Sequence, residues 1–308
     1  MKAKGPILLL ITAVLWGMAF VAQTSAAENV EPFTFNASRN FIGALFLSGV
    51  IAFRGRVGHD KPPSTDGAGY SRRTLLIAGV LCGLALCVAS YLQQAGITAY
   101  PPEAAASGRS GFVTATYMVI VAVILALSGR RPHPLVVLAV AVALLGMYLL
   151  CVPNGLGSIY VGDWLVLASA FGYAVHILVI DRYTQVDGVR LSRVQLLVAG
   201  GISLVCALVF EHPEPAAILA AAIPILYAGV CSDGIAYTLQ IVGQQSTDPT
   251  VASIIMSLES VFAALGGWII LSESLSAVEL FGCALVFGAV LLSQAPEFAA
   301  ARKRRGSS

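Results

Sequence analysis

The chain has 308 residues, of which 57% are hydrophobic and 11% charged, and its mean hydropathy is +0.84. A soluble domain carries about 25% charged residues, so the charge needed to solvate one large globule is missing, and intrinsic disorder is excluded. Eighteen basic against 16 acidic residues, with no basic stripe before the short tail at 302–305, exclude a nucleic-acid partner. The composition is that of a polytopic membrane protein.

An apolar run of about 18 or more residues is long enough to cross a hydrocarbon core of about 30 Å. In chain order such runs lie at 5–24, 33–53, 73–95, 104–127 and 133–152, then at 161–181, 194–210, 219–242, 250–271 and 276–294. The expected fold is all-α, with ten transmembrane helices. Only Ser128-Gly129-Arg130-Arg131-Pro132 parts the fourth run from the fifth. Ser25-Ala26-Ala27 admits a signal-peptide reading of the first run. The stretch from Ile7 to Ala22 is longer than a usual signal core and holds Trp16 and Gly17 at mid-depth, so it is predicted to stay as a span.

Charge sets the expected orientation. With the N-terminus inside, one side holds Lys2 and Lys4, a polar 54–73 loop (Arg54, Arg56, Lys61, Arg72, Arg73), then Arg130 and Arg131. The same side holds Arg182, Arg190 and Arg193, and the tail Arg302, Lys303, Arg304 and Arg305. Only Arg39 and Arg109 are left over, and both fall within spans. The opposite loops carry Glu28, Glu31, Glu103, Glu211 and Glu214. Basic residues stay on the cytoplasmic side, so the expectation is a multi-pass protein of the cytoplasmic (inner) membrane with both termini in the cytoplasm.

No Gly-x-x-x-x-Gly-Lys-Ser/Thr loop, His-Glu-x-x-His helix or Gly-x-Ser-x-Gly elbow occurs. Cys82, Cys87, Cys151, Cys206, Cys231 and Cys283 form no Cys-x-x-Cys pair and read as small packing residues. Neither a cofactor nor a metal is implied, and the loops are too short for a catalytic domain.

An internal repeat is visible. The segment Tyr91–Leu150 resembles Tyr237–Leu292: a polar-rich helix end, a break, an Ala/Ser-rich span, a brief loop and a closing apolar span. Leu15-Trp16-Gly17 is echoed by Ala170-Phe171-Gly172. Five spans per half is an odd number, so the halves are expected to be inverted, the recurring design of secondary transporters. The predicted organisation is a first five-helix repeat over 1–152, a joint at 153–160, a second repeat over 161–295 and a basic cytoplasmic tail at 296–308.

These features resemble the drug/metabolite transporter superfamily in its ten-span, EamA-type branch. The resemblance rests on Trp16-Gly17, on Arg39 within Ser38-Arg39-Asn40-Phe41, and on Ser110-Gly111-Phe112 opening the fourth span. It rests further on Gly162-Asp163 opening the sixth span and on Ser272-Glu273-Ser274-Leu275 before the tenth. Arg130-Arg131 departs from the Gly-Glu pair that the family often has there. The resemblance implies a transporter of small metabolites, commonly an exporter of amino acids or related compounds.

Ionisable residues inside spans are costly and usually face a cavity or a partner. Arg39 and Arg109 each lie about 9 Å deep by helical rise, suited either to a substrate carboxylate or phosphate or to anchoring a helix end. Asp233 and Glu259 fall near the middle of the eighth and ninth spans. Burial penalises their charged form, making both candidate proton-coupling groups; alternatively each pairs with Arg39 or Arg109. Asp233, Tyr237 and Gln240 share a helix face at i, i+4 and i+7. Thr12, Trp16 and Gln23 form a stripe on the first span. His176, with Tyr173 at i−3, titrates near physiological pH or serves as an interhelical hydrogen bond. Tyr91, Gln94 and Tyr117 complete the candidate translocation path. Gly79 and Gly83 read as a packing contact.

The leading reading is a secondary active exporter of small polar metabolites such as amino acids, an efflux transporter and not an enzyme. Its implied partners are a small-molecule substrate, protons as the candidate coupling ion, and the lipid bilayer. Import or exchange by the same architecture is one alternative. A different class is an intramembrane enzyme using Asp233 and Glu259 as paired carboxylates. The residues carry no signal for oligomeric state.

Overall fold

The computed structural model describes residues 4–58, 70–101, 104–130, 132–151, 160–272 and 276–305. Most of the predicted 54–73 loop, Glu103, Arg131, residues 153–159 of the joint and Glu273-Ser274-Leu275 lie outside the described residues, as do Lys2 and 306–308. In lipid the backbone must satisfy its own hydrogen bonds, and a helix does so within one segment. Every regular element among the described residues is accordingly helical.

The chain begins with α1 (Lys4–Ala27), α2 (Pro32–Arg56) and α3 (Arg72–Thr98), followed by α4 (Ala106–Ala115), α5 (Tyr117–Leu127) and α6 (Pro134–Cys151). It continues with α7 (Val161–Arg182), α8 (Gly188–Phe210), α9 (Pro215–Ala220) and α10 (Ala222–Tyr227). A π-helical segment (Ala228–Ala236) leads into α11 (Tyr237–Gln244), α12 (Pro249–Met256), α13 (Glu259–Ile270) and α14 (Ala277–Arg305).

Among the described residues, seven stretches are long and apolar enough to cross a membrane: α1, α3, Ala106–Leu127, α7, α8, Ala222–Gln244 and Pro249–Ile270. Pro134–Gly146 and Leu280–Ser293 are shorter apolar helices. The 25-residue α2 has the length, but Asn36, Ser38, Arg39 and Asn40 break its apolar run. Helix α8 starts at Gly188, six positions before the apolar run at 194, because the Asp187 carboxylate accepts from the Arg190 amide at 3.0 Å and caps the first turn.

Polarity is distributed inside out relative to a soluble protein. Asn36, Gln94, Ser169, Gln195 and Asp233 are fully buried, whereas Leu45, Phe53, Leu127, Leu208, Ile223 and Ile269 are exposed. Apolar side chains gain nothing by leaving lipid, so helix association rests on close packing and interhelical hydrogen bonds. Helix α6 packs on α14, α3 on α7 and α8, α2 on α8 and the π segment, and α4 on α13. Helix α1 runs through the middle, touching α13, α11 and the π segment.

Two glycines show how close these crossings are. A Cβ on Gly83 would sit 2.8 Å from the Gln195 carbonyl and 2.6 Å from Val198 Cβ, so this face of α3 is a seam with α8. A Cβ on Gly17 would sit 2.9 Å from the Glu259 carbonyl and 2.9 Å from the Ala263 amide nitrogen. Gly17→Ala is therefore expected to lower the thermal unfolding midpoint in detergent, at a cost of about 1–3 kcal/mol from overpacking. Gly201→Ala, with nothing within 4 Å of the added carbon, is expected not to lower it. Equal midpoints for the two variants would refute the close α1–α13 crossing.

Charged side chains pin both ends of the bundle. At one end Arg54 holds Asp187 at 2.9 and 3.3 Å, and Arg130 meets Asp181 at 2.9 Å. At the other end the Glu211 carboxylate accepts the Phe33 and Thr34 amides, each at 2.7 Å, closing the first turn of α2 from the end of α8.

Candidate functional site

Three of the long apolar stretches are interrupted halfway, and the interruptions face one another. Ser253, Ser257 and Ser260 each donate their hydroxyl to the carbonyl three residues back, at 2.8, 2.7 and 2.7 Å. Thr116 does the same to Val113 at 2.7 Å. Such back-bonding competes with the helical ladder and bends it. The breaks make Tyr117 the first residue of α5 and Glu259 the first of α13. The third interruption is the π segment, whose widened turn carries Ser232 and Asp233; single-turn π insertions recur at functional sites. The Thr12 hydroxyl of α1 bridges towards it, 3.0 Å from the Leu8 carbonyl and 3.3 Å from the Ala236 carbonyl.

Between these breaks lies a narrow cavity of about 30 Å³, room for roughly two waters. Helix α1 contributes Trp16, Phe20 and Gln23, α2 contributes Arg39, and α3 contributes Gln93. Thr114 and Tyr117 come from α4 and α5, Tyr173 and His176 from α7, and Ser232 from the π segment. Tyr237, Gln240 and Glu259 complete the wall.

Charge in this wall is tightly disposed. Arg39 is buried; its Nε donates to Asn36 Oδ1 at 2.9 Å and its guanidinium lies over the Phe35 ring. Its Nη1 stands 3.6 Å from Asp233 Oδ1, an ion pair wider than a hydrogen bond. Neither oxygen of Asp233 accepts a hydrogen bond among the described residues. Glu259 is buried with Oε1 unpartnered, and the Tyr117 hydroxyl is the hydrogen-bonding neighbour of its carboxylate. Tyr173 donates to Gln93 Oε1 at 3.0 Å, and Gln93 Nε2 donates to Thr114 Oγ1 at 3.0 Å. His176 Nε2 is 3.0 Å from Gln195 Oε1. The Tyr237 ring meets Trp16 edge-on at 5.0 Å and His176 at 5.5 Å.

The structure thus brings together Trp16, Arg39, Tyr117, His176, Tyr237, Gln240 and Glu259, with Asp233 reaching the cavity through Arg39. It leaves three predicted residues elsewhere. Tyr91 stacks on Phe33 with ring centroids 3.9 Å apart. Gln94 turns away and donates to the Gln23 carbonyl at 3.1 Å. Arg109 sits at the end of the bundle with Asp163: its Nε and Nη2 donate at 2.7 and 2.8 Å to a carboxylate that also accepts the Tyr100 hydroxyl and the Tyr160 amide. That arrangement is a helix-end anchor, and the sequence held its signal, since Arg109 and Asp163 are opposite charges at the start of two spans.

Gln93, Thr114 and Ser232 were not singled out by sequence. Nothing in a Gln93-Gln94 pair says which member faces inward until the neighbours of α3 are known. Asp233 and Glu259 have different neighbours, Arg39 for one and Tyr117 for the other.

Comparison with known proteins identifies the family. Residues 3–152 and 160–294 match the EamA-like transporter family. The chain is 26% identical over 285 residues to an uncharacterized transporter of Archaeoglobus fulgidus, covering 92% of this chain and 83% of that protein. A solved crystal structure shares the fold with a TM-score of 0.73 at 19% identity, covering 94% of this chain and 98% of the other. A bundle of apolar helices around a buried polar cavity and a family match along nearly the whole length lead to one conclusion: the chain is a multi-pass membrane protein that belongs to the EamA-like transporter family.

Proposed function

We propose that the protein is a secondary active transporter of the cytoplasmic membrane, exporting small polar metabolites such as amino acids, with protons as the coupling ion. In this reading ten spans form two inverted halves, α1–α6 and α7–α14, which alternate access to the central cavity. The packing supports it, because contacts pair up when the halves are exchanged. The contacts of α2 with α8 and α6 with α14 join counterparts, and the contact of α4 with α13 has its counterpart in that of α12 with α5. The contact of α3 with α7 has its counterpart in that of α11 and the π segment with α1. The break before Tyr117 in the fourth span corresponds to the break before Glu259 in the ninth. The distribution of Lys and Arg supports cytoplasmic termini.

The observation that carries the reading is the buried pair Arg39–Asp233, with Glu259 nearby, in a cavity shared by both halves. A proton on Asp233 removes the charge opposite Arg39, so the two protonation states give the cavity two different fields. A coupling group must have such a differential effect on two states. The test is flux into proteoliposomes across a panel of small metabolites, with and without an imposed pH gradient. Saturable flux of at least one polar metabolite, accelerated several-fold by the gradient, is expected. Absence of saturable flux across the panel would remove the transport assignment proposed here, and flux indifferent to the gradient would remove the coupling.

A further inference from the structure

We infer that the cavity recognises its ligand by a protonated amine seated on Glu259 between aromatic rings. The inference rests on the transport reading for its purpose, but it is carried by the unsatisfied groups of the wall.

Arg39 is engaged from behind by Asp233 and Asn36. The charge left facing the cavity without a counter-ion among the described residues is that of Glu259, 3% exposed and with Oε1 unpartnered. A buried carboxylate without a cation is expensive, and a bound cation removes that cost. Gln240 Oε1 and Gln23 Oε1 also lack partners, in residues 1% and 3% exposed, against one unpartnered donor of the wall, Trp16 Nε1. The surplus is therefore of acceptors: one carboxylate oxygen and two amide oxygens. An ammonium brings three donors and one positive charge, and so answers that deficit directly. The rings of Trp16, Tyr117 and Tyr237 border the same space, and aromatic faces attract a cation while sheltering a flat apolar body. An anionic ligand would meet Glu259 unfavourably and would find Arg39 already paired. The class indicated is a small monocationic amine with an aromatic or otherwise flat body.

The test uses the full-length protein in detergent, with phenethylamine and 3-phenylpropanoate as probes of matched shape and opposite charge, read by calorimetric titration. Phenethylamine is expected to bind and 3-phenylpropanoate is not. Glu259→Gln should weaken phenethylamine by about tenfold or more, the scale of a charge-assisted contact, while Glu259→Asp should retain part of the affinity. Equal or tighter binding of 3-phenylpropanoate, no binding of phenethylamine, or an unchanged affinity in a folded Glu259→Gln variant would each overturn the inference. The comparison of the two probes on the unaltered protein decides the matter even if the variant fails to fold. Amine binding through Glu259 without flux of any metabolite would leave this site standing and remove the transport reading. Gradient-driven flux without amine binding would do the reverse.

Discussion

Asp233→Asn is expected to abolish net flux driven by a pH gradient while leaving substrate-for-substrate exchange in place. Asparagine reproduces the protonated carboxyl permanently, so steps that need deprotonation stop and steps that need only the reorientation of a loaded cavity continue. Asp233 suits this role because it is fully buried, contacts Arg39 at 3.6 Å and sits on the π segment next to the cavity-lining Ser232. Flux and counterflow in proteoliposomes measure the two behaviours separately. Glu259→Gln is the necessary companion, since two carboxylates of one site can titrate as a pair. Amine binding separates them: it should survive Asp233→Asn and fall in Glu259→Gln. Undiminished gradient-driven flux in both single variants and in the double variant would exclude coupling through these carboxylates, and a facilitator or exchanger would describe the protein better.

The same ion pair should be conspicuous in stability. A buried carboxylate that loses its partner can take up a proton and become neutral. A guanidinium cannot shed one. Removing Asp233 strands a permanent charge in a low-dielectric interior, whereas removing Arg39 does not. Asp233→Leu is therefore expected to destabilise the protein by about 3–5 kcal/mol, as for one partner removed from a buried pair, and Arg39→Met by distinctly less. The double variant should recover most of the loss, because replacing a whole buried pair by apolar residues is often neutral. Unfolding of purified protein in detergent measures all three. Additive losses in the double variant would show that Arg39 and Asp233 are held by other contacts and not by each other. Transport should be lost in the double variant even where stability returns, which separates a coupling role from a scaffolding one.

Much of the class and little of the site could be read along the chain. The thickness of a bilayer dictates how many apolar residues a span needs, so the runs around α1, α3, α7 and α8 coincide with observed helices. Mid-span charge is costly enough to announce itself: Arg39 and Glu259 line one cavity, and Asp233 sits against Arg39. Arg109 did not, because Asp163, at the start of α7, satisfies it with two short hydrogen bonds. The stripe of Asp233, Tyr237 and Gln240 assumed an unbroken α-helix. The π segment ends between the first two members, and Asp233 faces Arg39 while Tyr237 and Gln240 face the cavity.

Composition, apolar run length and charge placement by themselves determined that this is a polytopic membrane protein, because those signals answer to the surrounding solvent and not to neighbouring helices. Tertiary structure alone decided which polar side chains share a cavity. Adjacent residues on a helix point about 100° apart, so the phase of each helix against its neighbours selects Gln93 over Gln94. Breaks at Thr116, at Ser257 and through Ala228–Ala236 reset that phase partway along three spans. A pairing such as Arg39 with Asp233 joins residues nearly two hundred positions apart, and only the packing of α2 against the π segment brings them together.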